Sequence, residues 1–334
     1  MKRSSLNSKS RGGAALMLAL WALFLLSAMV ISWALDIDSR LAVSGNAGRV
    51  LEAEAMASSG ADIALAEVAL RPNTAPSSPN LHGQMGNRQG YDVQMIGECG
   101  RLNLNFLTQG EDPAKLEILR QYLSLKGVEL NDIDTMVDSL LDWVSPGQGI
   151  HHLNACPETD DYRPSHAPLT SVDDLKKICG WAEFTSKPGW DEDFTVVTNC
   201  GCIDLAWASR DVLRALGIGD DRVDQFLQLR RGPDGIDGTA DDLQSSAAAS
   251  EPALSIGGCG QLPIEVQAAL GLNLRQPQNQ QPPFIAKSLV GFNSPVFRVV
   301  SAGKSGDLTR SVQMIVSKAG AAGGRPQVMS WKEL

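Results

Sequence analysis

The sequence lacks the short motifs that accompany most hydrolytic, nucleotide-dependent and zinc-dependent chemistry. It contains no G-x-S-x-G, no Walker sequence and no H-E-x-x-H, each of which places specific groups around a reacting centre. A C-x-x-C pair is also missing, and the adjacent His151 and His152 lack the i, i+4 spacing that puts two histidines on one helix face. We therefore expect neither an enzyme nor a zinc protein.

Strong compositional bias is missing as well. Of the 334 residues, 43% are apolar and 20% are charged, with 32 Gly and 17 Pro. These values exclude collagen-like, low-complexity and highly charged disordered chains. The formal net charge is −9, and four basic residues precede the first apolar run, so the remainder is more acidic still. Because such a body repels phosphate backbones, we expect no nucleic-acid partner.

One long apolar run lies near the N-terminus. Ala14 to Leu35 are 22 residues without a charge, and as a helix they would extend roughly 33 Å, enough to cross a bilayer. The residues before the run carry basic charge and no acid, whereas Asp36 and Asp38 follow it directly. The positive-inside rule then predicts a cytoplasmic N-terminus, a single pass through the inner membrane and a periplasmic body. A cleaved signal peptide would have a shorter apolar segment and a small-residue exit.

The segment RGGAALMLALW, residues 11–21, resembles the class III leader that prepilin peptidase cleaves on the cytoplasmic side of the membrane. The resemblance implies that the apolar helix is retained after cleavage between Gly13 and Ala14, with Gly12 as the alternative site, and that the new N-terminus is methylated. Residues 1–13 are then the leader, and residues 14–35 are the transmembrane helix.

Most pilins and pseudopilins have Glu at mature position 5, where this chain has Leu18. A carboxylate in lipid is costly unless it has a partner, and in pilins that partner is the free amine of the preceding subunit. The substitution therefore implies a subunit that needs no predecessor and stands first in a fibre.

Beyond the membrane, residues 36–72 are predicted to continue the helix, and residues 73–89 to form a loop. Alternating strand patterns in 90–107 and 292–318 predict a small sheet in two halves. A hairpin is expected between Tyr91–Met95 and Arg101–Leu107, with residues 319–334 as a C-terminal tail. The sheet is interrupted by 110–285, an inserted α-domain.

Helical periodicity marks the insert at 113–126 and 131–144. The row Asp134, Asp138 and Asp142 is interpreted as a solvated helix face. Ser171 and Ser209 are predicted helix N-caps.

The segment ASRDVLRALGIGDDRVDQFLQLRRG resembles a helix-hairpin-helix motif. DNA-binding members of this class hold phosphate with hairpin amides. Here Asp220 and Asp221 follow the hairpin, which favours a structural role over DNA binding.

Five segments are similar in order and spacing to the type II secretion minor pseudopilin K family: GRLNLNFL, DSLLDWV, TDDY, LTSVDDLKKICG and the hairpin unit. The resemblance covers roughly residues 11–320. It implies an α+β pseudopilin fold, in which a long N-terminal transmembrane helix packs on a small antiparallel sheet with a large inserted all-α domain.

The same resemblance implies a minor pseudopilin that initiates and caps the pseudopilus tip. Its partners would be minor pseudopilins I and J, the other pseudopilins, the inner-membrane assembly platform, prepilin peptidase and the lipid bilayer. A type IV pilus minor pilin and a membrane-anchored helix-hairpin-helix DNA-binding protein are the alternatives.

Family members are associated with calcium, and one acidic loop, GPDGIDGTADDL, has the oxygen ligands that calcium prefers. Its aspartates are Asp234, Asp237, Asp241 and Asp242. A solvated Asp-Gly turn is the alternative interpretation.

The even cysteine count favours disulfides in an oxidising compartment, with fifteen full connectivities open. A direct bond between Cys200 and Cys202 would be strained. The candidate disulfide cysteines are Cys99, Cys156, Cys179, Cys200, Cys202 and Cys259.

Overall fold

The computed structural model describes residues 11–72, 74–86, 88–147, 151–237, 239, 241–243, 262–271, 289–292, 294–318 and 325–334. The described helices are α1 Arg11–Leu70, α2 Leu104–Thr108, α3 Pro113–Leu125, α4 Leu130–Val144, α5 Ala182–Thr185, α6 Arg210–Ala215, α7 Asp220–Arg230 and α8 Ile264–Ala269. Short 3-10 helices lie at Ala75–Ser77, Pro79–Leu81, Glu98–Gly100, Gln109–Glu111 and Val172–Lys177.

The main sheet has five antiparallel strands in the order β1-β2-β7-β8-β9. These strands are β1 His82–Met85, β2 Gln89–Gly97, β7 Val296–Ser305, β8 Leu308–Ser317 and β9 Gln327–Glu333. Two short parallel pairs lie outside it: β3 Leu102–Asn103 with β4 Phe194–Thr195, and β5 Ile203–Asp204 with β6 Val290–Gly291.

The C-terminal half of α1 packs on one face of this sheet through small side chains. Its buried residues follow helical spacing: Ala53, Ala57, Ala61, Ala64 and Val68. The approach is close, because a Cβ added at Gly303 of β7 would lie 2.1 Å from the carbonyl oxygen of Ala53. The residue alternation of β2, β7 and β8 supplies the apolar partners on the sheet, including Val93, Val299 and Met314.

The chain leaves the sheet at Gly97 and returns at Val296. The intervening residues form a second core, to which α3 and α4 contribute the largest groups of buried side chains from any helix. The aromatic residues Trp181, Phe184 and Phe194 pack edge to face or tilted near its centre. The regular secondary structure of the described part of the insert is mainly helical, with the short pairs β3–β4 and β5–β6 as its strands.

Three local expectations were wrong. The strand containing Tyr91 pairs with β1 and β7 rather than forming a hairpin with 101–107, and Leu102 and Asn103 pair with β4. The expected loop at 73–89 contains β1, and the expected tail contains β9. Each error concerns pairing between backbone segments, which residue alternation alone does not specify.

Candidate assembly site

The N-terminal half of α1 projects from the rest of the described chain, which we call the head and which includes the C-terminal half of α1, the sheet and the insert. The apolar side chains of this N-terminal half are uncovered. This helix is long and apolar enough to cross a membrane, and it fits a single-pass anchor. Leu18 has 71% of its surface exposed, and Trp21 and Phe24 are similarly uncovered. Gly13 and Ala14 lie within α1, but their side chains are outside the described part of the chain. The span therefore presents an apolar rod on every side.

The head has a membrane-proximal and a membrane-distal end. On the proximal side, Ser305 at the end of β7 donates a hydrogen bond to Glu52 of α1 at 2.7 Å. Further along α1, Gly60 approaches the side chain of Ser301, so α1 and β7 run in opposite directions. Val296 at the start of β7 and Gly97 at the end of β2 thus lie at the distal end. The inserted domain joins the sheet there, away from the membrane span.

The junction between sheet and insert is built around a buried carboxylate. Glu98 is fully buried, and its two oxygens accept hydrogen bonds from Arg298 of β7 at 2.7 Å each. Thr195 of the insert donates a third hydrogen bond at 2.5 Å. Arg101 lies 3.9 Å from the same carboxylate, and burial lowers the pKa of its guanidinium.

Close packing and a covalent bond reinforce the same junction. A Cβ at Gly97 would lie 2.0 Å from the Trp207 ring, and one at Gly100 would lie 2.5 Å from the Trp207 backbone. Cys99 is bonded to Cys200, and both cysteines are buried. The GECG segment at 97–100 is therefore a docking point for the insert, a role that its sequence did not reveal.

A second pair of buried charges lies near this junction. Asp204 of β5 is fully buried, and burial raises the pKa of its carboxyl group to about 7. Burial likewise lowers the pKa of Lys318, which follows β8, to about 8, and the charge of Asp204 opposes that change. The two groups therefore influence each other electrostatically between the end of the sheet and the insert.

The other cysteines are distributed over the insert. Cys156 is bonded to Cys179, and Cys202 is also disulfide-bonded. Cys259 lies outside the described residues. The bonded pairs avoid the Cys200–Cys202 bond that the sequence disfavoured.

The aspartate row of α4 differs from its predicted solvated face. Asp138 and Asp142 are buried, because residues 151–156 fold back across the helix. Asp138 accepts hydrogen bonds from the backbone and side-chain nitrogens of Asn154, both at 3.0 Å. Asp142 contacts both His151 and His152. Sequence periodicity placed these acids on the face of α4 opposite its apolar side chains, but it could not show that a second segment covers them.

The segment that resembles a helix-hairpin-helix motif folds as α6, the turn around Gly217 and α7. Ser209 caps α6 as predicted, and its oxygen accepts the Val212 amide at 3.2 Å. Asp220 begins α7 and pairs with Arg214 at 2.9 Å. Arg210 is paired with Asp224. Arg210 and Arg214 are thus paired with carboxylates of the same segment, whereas Arg222 in the first turn of α7 donates a hydrogen bond to the carbonyl oxygen of Leu270 at 2.9 Å.

The acidic loop after α7 forms hydrogen bonds of its own. Asp237 pairs with Arg230 at 3.2 Å and with Arg231 at 3.0 Å, and Asp241 accepts hydrogen bonds from Thr239 and the Asp234 amide. Across the described residues, Asp, Glu, His and Cys form no group of three suited to a metal ion. Calcium binding by Asp234, Asp237, Asp241 and Asp242 stays a prediction from sequence.

No family model matches the chain, and no curated protein matches it by sequence. Among solved structures, it is similar to a chain in the crystal structure of the GspK-GspI-GspJ complex from the enterotoxigenic Escherichia coli type 2 secretion system. The TM-score is 0.56 at 11% identity, and the match covers 87% of this chain and 99% of that chain. This chain has a pseudopilin fold. The pseudopilin architecture predicted from the sequence, including its inserted domain, is thereby confirmed.

Proposed function

We propose that this chain is a minor pseudopilin of a type II secretion system and that it initiates and caps the pseudopilus tip. The observation that carries the proposal is a pseudopilin fold on an uncovered apolar helix, preceded by a sequence that resembles a prepilin leader. The role is structural rather than enzymatic. It places a helix in the inner membrane with the head in the periplasm.

Two features support a place at the tip. Leu18 supplies no carboxylate to the amine of a preceding subunit, so a predecessor would gain no ion pair from this position. The inserted domain is attached at the membrane-distal end of the head, where a subunit stacked above would have to sit. A chain with these features can have neighbours below it and none above.

The partners follow from the same assignment. The similar solved chain belongs to a complex named for GspK, GspI and GspJ, and we infer that pseudopilins of types I and J are the neighbours of this subunit. Further pseudopilins and the assembly platform would meet it in the membrane. The apolar span would then exchange lipid contacts for contacts with neighbouring helices, a transfer that brings little hydrophobic gain and depends on close packing.

Processing by prepilin peptidase gives the sharpest test. The full chain is co-expressed with the peptidase, and the mass of the mature N-terminus is measured for the wild type, Gly13→Val and Gly12→Val. We expect a mature chain beginning at Ala14, lost in Gly13→Val and retained in Gly12→Val. A mature chain beginning at Gly13 would instead select the alternative site. An uncleaved leader, or removal of the whole apolar helix, contradicts the pseudopilin assignment.

A further inference from the structure

Residues 151–156, which we name the strap, are fastened to the buried side of α4 by side chains one turn apart. Nδ1 of His151 lies 2.7 Å from one oxygen of Asp142, and Nδ1 of His152 lies 2.5 Å from the other. The His152 amide donates to Asp142 at 3.0 Å, and the Cys156 amide donates to Ser139 at 3.1 Å. Polar contacts to Ser139 and Asp142 therefore join the strap to α4.

The histidines face an acidic environment. Nε2 of His152 lies 3.5 Å from Glu111, which comes from the turn before α3, and Asp138 lies one turn before Asp142 on α4. Arg120 of α3 lies 4.0 Å from Asp138 and 3.4 Å from Asp134.

The segment after the strap adds two further groups. Tyr162 is close enough to feel the charge of Asp142, and His166 is paired with Glu158 at 3.3 Å. His152 therefore lies between the carboxylates of Asp142 and Glu111.

We propose that the strap is a pH-sensitive fastening: protonated His152 holds it closed over Asp142, and deprotonation of this imidazole loosens the strap and uncovers the acidic face of α4. A charged imidazolium adds a charge–charge attraction to its hydrogen bond with a carboxylate, and a neutral imidazole lacks that attraction. A buried carboxylate that loses its cationic partner is also costly to keep from water. The Cys156–Cys179 bond keeps the C-terminal end of the strap in place, so opening is confined to its N-terminal part.

The direction of the pH dependence follows from His152. Burial by itself lowers the pKa of its imidazole, but the hydrogen bonds to Asp142 and Glu111 outweigh burial and raise the pKa above its ordinary value. A histidine whose pKa is raised in the closed form stabilises that form below the pKa of the open form, and the stabilisation is lost as pH rises through the closed-form pKa. The strap therefore loosens from mildly acidic to mildly alkaline pH.

Hydrogen exchange of the full chain in detergent micelles tests this directly. Protection of the peptide covering 151–156, corrected for the intrinsic pH dependence of exchange, is compared at pH 6 and pH 8.5. We expect protection to fall about threefold or more in the wild type. In His151→Asn/His152→Asn it should stay constant, because Asn retains a donor near the position of Nδ1 but does not titrate.

His82→Asn is the matched control, because His82 contacts Asp92 through the same ring atom and lies outside the strap. In this variant, protection of the strap should fall with pH as in the wild type. Constant protection in the wild type, or an equal fall in the double variant, overturns the proposal. If the double variant does not fold, an NMR titration of the wild-type histidines decides: a His152 pKa above the ordinary value supports the fastening, and one at or below it refutes it.

Discussion

Glu98 and Arg298 are 200 residues apart in sequence, and their side chains form a bidentate ion pair with both N···O distances at 2.7 Å. Glu98 belongs to the segment that leaves the sheet, and Arg298 belongs to the strand that returns to it. The pair therefore joins the two chain segments that connect the sheet to the inserted domain at the distal end of the head. With Thr195 as a third partner, it fixes the insert relative to the sheet.

Removing the Glu98 carboxylate should destabilise this junction strongly. In Glu98→Gln the guanidinium of Arg298 loses a buried partner, and we expect the free energy of unfolding to fall by about 3 kcal/mol, as measured by denaturant titration of the full chain. Glu54→Gln is the control, because Glu54 is half exposed and lies 3.9 Å from Arg310; it should cost less than about 0.5 kcal/mol. Equal effects of the two variants would refute a special role for Glu98.

Asp174 should make stability depend on acid pH. Burial raises the pKa of its carboxyl group, but hydrogen bonds from Lys177, Thr170 and the Ser171 amide outweigh it and lower the pKa to about 2. The stabilisation is therefore present above the unfolded pKa near 4 and is lost as pH falls toward 2. Asp174→Asn should cost about 1 kcal/mol at pH 7, and the difference from wild type should shrink below pH 4. Asp173→Asn, which leaves the capping carboxylate intact, serves for comparison.

If the missing carboxylate frees this subunit from a predecessor, restoring it should change the subunit's place in the fibre. In Leu18→Glu we expect cross-links between copies of this chain that are absent in the wild type, detected by cysteine cross-linking in assembled pseudopili. Leu16→Glu puts the charge on another side of the helix and should only impair assembly. Self-cross-links along the shaft in the wild type would contradict the tip assignment.

The segment that resembles a helix-hairpin-helix motif should not bind DNA. Its Arg210 and Arg214 are paired with Asp224 and Asp220, and the chain as a whole is acidic, so phosphate would meet repulsion at this surface. Fluorescence anisotropy with a labelled duplex should show no appreciable binding by the full chain at low salt. Binding that weakens steeply as salt is added would restore the DNA-binding alternative.

The elements that were predicted well are those with a local signal. The spacing of Ile133, Met136 and Val137 placed α4 to within a residue, and the hydroxyls of Ser171 and Ser209 cap the helices that follow them. The predictions that failed concerned which strands pair with each other. Tyr91 was correctly assigned to a strand, but its neighbours are β1 and a strand more than 200 residues later.

The site residues show the same difference between features with a local sequence signal and features that depend on remote segments. The buried acids Asp138 and Asp142 look solvated in a helical projection, since nothing in α4 itself reveals that Asn154 and His152 will donate to them. Glu98 stands alone among glycines and a cysteine, and its partner Arg298 is too remote for any local pattern to detect.

The sequence by itself determined the apolar rod, the charges that flank it and the absence of a carboxylate at Leu18, because lipid responds to composition along a single helix. Tertiary structure alone decided which strands are neighbours, which carboxylates lose contact with water and where the insert is mounted. Those outcomes depend on contacts between remote segments, whose free energy arises only when the whole chain has packed.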